Sequence, residues 1–354
     1  WVFNDKGNIH TETNGDPIGM EIRAQAFAFA TNDEVNRMTF YNYELINRGT
    51  QTLYNTYFSQ YLDCDIGNYT DDYVGCDVSR GLGYTLNGDL IDQSDGGKPG
   101  YGENPPAIGC DFFEGPYQDA DELDNPGPYF NEETGQMVVP SVTDALANNG
   151  IVYKGVGIGY SDSIIDNERF GMRRFTYYTS TSAPPYNDPS NAAEYYNFMQ
   201  GNWANGSDMF YGGLGYAGST GASTVLSDYM FPGLSDPLNW ATKGVDMSSA
   251  FPDGWFESTN NNPPADRRFV QSAGPFTLRP GAINNITVGI VFGRSTDGDL
   301  YASVEAMKQA DTKAQALFDA CFKILSPPDV TIKSFFLPFI TNLPCSSKKP
   351  KSPV

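Results

Sequence analysis

EIRAQAFAFAT, residues 21–31, places Ile22, Ala24, Ala26, Ala28 and Ala30 at every second position. A period of two puts these side chains on one face of an extended strand, whereas a helix would repeat at three and four. The next run, 37–47, alternates in the same way, and 52–62 follows after Arg48-Gly49-Thr50, so an antiparallel meander is expected. Further strands are expected at 151–159 and 170–178. The runs 269–278 and 286–292 read as a closing hairpin around Arg279-Pro280-Gly281. Between these runs, 63–135 is dominated by Asp, Gly, Asn and Pro, and 179–264 is irregular and aromatic-rich; both read as long insertions. The expected fold class is mainly β: an antiparallel, jelly-roll-like β-sandwich with long loop insertions and one C-terminal helix.

That helix spans 300–325, where Val304, Met307, Ala310, Ala314, Leu317, Phe318, Cys321 and Leu325 fall close to one stripe. Ser326-Pro327-Pro328 ends it, because proline cannot continue a helix and restrains the residue before it. The domain is therefore placed at 1–326 and an extended appendage at 327–354. The appendage carries Val330, Phe335, Phe336, Leu337, Phe339 and Ile340 ahead of a Lys-rich end, a composition suited to an arm between subunits.

A net charge of −21, with Lys+Arg 22 against Asp+Glu 43, argues against nucleic acid as a partner, since phosphate binding needs clustered cations. No run of 18 apolar residues exists, so no transmembrane helix is expected. The chain starts at Trp1 without Met or a charged and apolar leader, as expected if an export signal was removed or a longer protein was trimmed, and its acidity suits an extracellular or cell-surface setting. Five cysteines are too few for a disulfide-built scaffold and contain no CxxC pair; Cys64 and Cys76 flank an acidic loop and are placed to bridge it.

That loop is the sharpest chemical signal. Asp63, Asp65, Gly67, Asp71, Asp72 and Asp77 set carboxylates near a glycine that permits a tight turn, a pattern able to converge oxygens on Ca²⁺. It is not an EF-hand, lacking Gly at the sixth and Glu at the twelfth position. A second acidic group, Asp119, Asp121, Glu122 and Asp124, reads as a solvated turn. The aromatic stretch offers a ligand surface through Tyr177, Tyr178, Tyr195, Tyr196, Trp203 and Tyr211, because flat rings with polar tips suit sugars or protein partners. His10 is the only histidine, which removes histidine-based triads and HExxH sites unless it is itself catalytic. Gly155-Val156-Gly157-Ile158-Gly159 lacks phosphate-loop spacing. Carboxylate-pair glycoside hydrolysis stays open, although nothing marks a particular pair.

Three stretches resemble parts of large secreted proteins of Bacteroidetes: DIGNYTDDYVGCDVSRGLGYTLNGD (65–89), ENPPAIGCDFFEGP (103–116) and DRRFVQSAGPFTLRPGAINNITVGIVFGR (266–294). The resemblance implies export through the type IX secretion system and β-sandwich modules, without an established activity for this region. The expected function is a secreted, calcium-binding, non-enzymatic binding or adhesion module at the cell surface, with other surface proteins or glycans as partners. The alternative is a structural subunit of an extracellular filament or surface layer, partnered with copies of itself through the arm.

Overall fold

The computed structural model describes residues 1–322 apart from 6, 8, 128, 132–135, 139–154 and 182. The arm residues Val330, Phe335, Phe336, Leu337, Phe339 and Ile340 lie outside the described residues, as do Leu325 and the first four positions of the strand expected at 151–159. The strands are β1 (Val2–Asn4), β2 (Met20–Phe27), β3 (Thr39–Asn47), β4 (Leu53–Leu62), β5 (Asp72–Asp77), β6 (Leu82–Asn87), β7 (Ile91–Asp92), β8 (Gly102–Glu103), β9 (Ala107–Glu114), β10 (Tyr129–Asn131), β11 (Gln136–Val138), β12 (Arg174–Thr179), β13 (Phe210–Gly212), β14 (Ala222–Leu226), β15 (Arg267–Leu278) and β16 (Ile283–Gly293). Two helices accompany them, α1 (Ala192–Met199) and α2 (Ala302–Asp319).

The fold is mainly β and antiparallel, as expected. A seven-stranded sheet runs β1-β2-β3-β16-β9-β6-β5, and a three-stranded sheet runs β12-β15-β4. The two face each other across one core, where Val74, Cys76, Cys110, Phe112 and Val288 meet Phe175, Tyr177, Phe269 and Phe276. The opposite face of the large sheet buries Phe40, Leu82, Tyr84, Phe113 and Val291 beneath Val304, Met307, Ala310, Ala314, Leu317 and Phe318 of α2. The helical stripe thus does what its spacing predicts, over a shorter span than 300–325.

Several expectations need correction. The meander stops at β3, because β4 leaves it to pair with β15 in the second sheet. The expected closing hairpin is an arch: β15 pairs with β12 and β4, while β16 pairs with β3 and β9. Its turn is pinned by buried Asn47, whose Nδ2 donates to Leu278 O and Gln51 O, each at 2.8 Å. Residues 63–135 supply β5, β6 and β9 of the large sheet, so this stretch is only partly an insertion. Residues 155–159 form no strand; the glycine run packs against 167–171, with Arg169 N donating to Ile158 O at 2.9 Å. A second helix, α1, breaks the irregular 179–264 region. Asn191 caps it by accepting from Glu194 N, while Glu194 accepts from Ser190 N, a capping-box arrangement.

The 179–264 region has a structural task. Edge strand β5 would expose a row of backbone donors, and these are taken up from the side: Asp72 N by Ala265 O, Val74 N by Glu257 Oε2 and Cys76 N by Phe231 O, with Ser235 Oγ accepting from Val78 N just beyond it. Covering an edge in this way prevents it from templating further strands.

Candidate binding face and acidic loop

The outer face of the three-stranded sheet is half covered by α1. Thr176 Oγ1 donates to Phe198 O and Ser272 Oγ to Met199 O, and the Phe198 ring stacks on Tyr178 at 4.9 Å. Tyr195 and Tyr196 emerge at the border of this helix and are exposed. Tyr196 meets Tyr57 edge-on at 5.7 Å and donates to Asn55 O at 2.7 Å. Tyr61, 52% exposed, stacks over buried Tyr178 at 6.2 Å. The result is a row of tyrosine rings in which Tyr61, Tyr195 and Tyr196 present exposed ring surface while the Tyr61 and Tyr196 hydroxyls are held by neighbours.

At the end of this row stand Asp63, Asp65 and Asp266, each offering a carboxylate oxygen within 4.8 Å of the others. Asp63 follows β4 and Asp266 precedes β15, so pairing of these two strands brings residues 203 positions apart in sequence together. Tyr61 Oη donates to Asp63 Oδ2 at 3.2 Å. Arg268 reaches Tyr61 Oη and Asp63 Oδ2, each at 3.2 Å, and Asp266 Oδ1 at 2.8 Å. One guanidinium therefore offsets part of the charge of three carboxylates. Partial burial, then Asp63 and Asp266, raise the Asp65 carboxyl above its ordinary range.

The structure divides the five aspartates of the expected metal set into three places. Asp63 and Asp65 belong to the exposed triad. Asp71 and Asp72 lie deeper, where β5 begins. Burial, followed by Asp92 and Asp89, lifts Asp71 to about 6; burial, despite the Ile66 N–H at 3.0 Å, lifts Asp72 to about 9. Asp77 is remote from both sets: its carboxylate accepts from Ser79 Oγ and Arg80 N and pairs with Lys308 at 3.1 Å, fastening the β5–β6 turn to α2. Asp77 is therefore a structural anchor, since its oxygens are already engaged by donors.

Gly67 shapes the loop rather than ligating. Its φ is +66°, and a Cβ there would stand 1.9 Å from Asp92 Oδ2. Asp92 is itself buried and accepts from Asn68 N at 3.1 Å and Tyr101 N at 2.6 Å. Gly67→Ala combines left-handed strain with a collision against a carboxylate that cannot retreat. It is expected to lower the unfolding free energy by about 2–4 kcal/mol, measured by urea denaturation. A loss below about 0.5 kcal/mol would show that the loop relaxes freely.

The remaining expected residues are corrected as follows. Tyr177, Tyr178, Trp203 and Tyr211 are buried, and Tyr177, Trp203 and Tyr211 form part of an aromatic cluster with Phe231 and Trp255. Aromatic density under long connections served packing here, and only Tyr195 and Tyr196 of the six face solvent. Cys64 and Cys76 are free thiols; Cys76 points into the core and donates to Met230 O at 3.2 Å, so no bridge spans the loop. The second acidic group staples turns: Asp119 accepts from Thr277 N and Oγ1, and Asp124 from Ser163 N. His10 pairs with Asp5 at 2.7 Å. Sequence reasoning missed Asp266, Arg268 and Tyr61; the signal lay only in the β4–β15 pairing. Among the described residues no helix is long and apolar enough to cross a membrane. Neither protein-family models nor curated proteins gave a match to the chain.

Proposed function

We propose that the chain is a secreted, calcium-binding, non-enzymatic binding module that takes glycans on the tyrosine row bounded by Asp63, Asp65 and Asp266. The observation that carries this reading is the adjacency of exposed aromatic faces to a three-carboxylate cluster. Tyrosine rings cover the apolar face of a sugar at low rotamer cost. A Ca²⁺ held by two or three carboxylates keeps open positions for sugar hydroxyls, because calcium takes six to eight oxygens. Arg268 holds Asp63 and Asp266 in place and moderates their repulsion. The acidic chain and its resemblance to secreted surface proteins of Bacteroidetes support an extracellular setting.

The test is a glycan array read with millimolar Ca²⁺ and again with chelator, followed by affinity measurement on the strongest binder. Tyr61→Ala is expected to weaken binding roughly tenfold, as loss of one stacking ring implies. Asp65→Asn is expected to remove most of the calcium dependence. Binding that survives both substitutions and chelation would sink the reading.

A further inference from the structure

A different cation site emerges one layer deeper, independent of the tyrosine row. β5 and β6 pair so that Asp72 stands opposite Asn87, which puts both side chains on the same face of the sheet. Gly88 N donates to Asp71 O at 2.6 Å, tying the residue before β5 to the end of β6. At this junction three side-chain oxygens are sealed from solvent and accept no hydrogen bond: Asp71 Oδ1, Asp72 Oδ1 and Asn87 Oδ1. Asp72 and Asn87 are 1% and 2% exposed. The Asn87 orientation is fixed, because Nδ2 donates to Asp89 O at 3.0 Å and so leaves Oδ1 as the free acceptor.

Buried acceptors without donors are costly, and three at one junction call for a common partner. The charge around them points to its sign. Among the described residues no ion pair is made by Asp71, Asp72, Asp89 or Asp92; the nearest, those of Asp63 and Asp266, belong to Arg268 in the exposed triad. Four carboxyl groups, Asp71, Asp72, Asp89 and Asp92, therefore lie at or beside the oxygens without an ion pair to offset them. A proton neutralises one carboxylate and serves at most two of the acceptors, and a water leaves the charge unchanged, whereas a divalent cation meets all three oxygens and offsets two charges.

We propose that Asp71 Oδ1, Asp72 Oδ1 and Asn87 Oδ1 form a buried structural site for a hard divalent cation, with Ca²⁺ favoured by the all-oxygen donor set. The cation locks the start of β5 to the end of β6 and thereby fixes the loop that carries Asp65 and Gly67.

The probe is Tb³⁺ soaked into crystals of the full chain, with Ca²⁺ titration calorimetry on the wild type and two variants. An anomalous peak is expected about 2.3–2.6 Å from the three oxygens. Asn87→Leu is expected to weaken Ca²⁺ binding at this site tenfold or more, while Asp65→Asn leaves it intact. Should Asn87→Leu fail to fold, Asp71→Asn, at the loop edge, replaces it with the same expectation. A peak confined to Asp63, Asp65 and Asp266, no peak at all, or unaltered affinity in the Asn87 and Asp71 variants would overturn the site. The glycan reading is untouched by those outcomes, since it is judged by sugar binding in the Tyr61 and Asp65 variants.

Discussion

Glu257→Ala is expected to lower the unfolding free energy by about 3–5 kcal/mol, the cost of stripping a buried ion of its partner. Glu257 is fully enclosed and takes three donors: Arg267 Nε at 2.7 Å and Asn262 Nδ2 at 2.6 Å on Oε1, and Val74 N at 2.7 Å on Oε2. Its removal leaves the Arg267 guanidinium buried with Pro263 O, at 2.5 Å, as its remaining hydrogen-bond acceptor. It also frees the Val74 donor on edge strand β5 and unties the 257–263 connection from the sheet. Urea denaturation of the single variant and of Glu257→Leu with Arg267→Met separates these contributions. The double variant is expected to recover much of the loss, because two apolar side chains replace a pair that is costly to desolvate. A single-variant cost below about 1 kcal/mol would mean that water enters and solvates Arg267.

What the sequence disclosed follows from which strands are buried on one face and which on two. β2, β3 and β4 alternate, and their positions were legible to within a few residues. β5, β6 and β9 were hidden because their glycines resembled turn residues. In the fold those glycines make room: a Cβ on Gly75 would lie 2.6 Å from Tyr84 Oη, on Gly83 2.5 Å from Gln271 Oε1, and on Gly109 2.6 Å from Met307 Sδ. Their neighbours are large, and the absent side chain is filled from another strand or from α2. No local pattern announces this, because the filling residue is distant in sequence. The arch at 279–281 was misread for a related reason: turn chemistry specifies a reversal but not which sheet receives the returning strand.

The candidate site divides in the same way. Asp63 and Asp65 were visible as a local motif, whereas Asp266 and Arg268 become neighbours only through β15 pairing with β4. Composition marked the aromatic stretch but not exposure. Trp203 shows the difficulty: its Nε1 donates to Gly215 O at 3.0 Å within the core, a polar partner supplied by a loop that no periodicity predicts. Only α1 left an overlooked signal, the Asn191-x-x-Glu194 capping pair.

The second large effect is a pH dependence built into the contact between the sheet and α2. Asp111, on the helix-facing side of β9, is hydrogen-bonded to Asp311 of α2, and both are buried. Burial first, and then the facing Asp311, push the Asp111 carboxyl well above its ordinary range. Burial likewise raises Asp311, opposed by Arg80 at 3.3 Å, to about 6. The other charges on this contact are Asp77 and Lys308, already paired with each other at 3.1 Å. In the unfolded chain both carboxyls titrate near about 4, so between there and the folded values the native state holds more protons. Stability from this pair is therefore fully present below about pH 4 and is lost as the pH rises. The decline begins near the ordinary carboxyl range and continues upward, because Asp111 is raised as well as Asp311. Asp111→Asn replaces the protonated donor with an amide that donates to Asp311 at every pH. It is expected to be neutral near pH 4.5 and to stabilise the chain by about 1–3 kcal/mol at pH 8. Exposed carboxylates whose ion pairs weaken in acid, such as Glu21 with Arg48, act in the opposite direction but equally in both proteins. The difference between wild type and variant, read from urea unfolding at pH 4.5, 6 and 8, thus isolates the pair. Parallel curves across that range would show that water reaches the two carboxyls and that α2 docks without a shared proton.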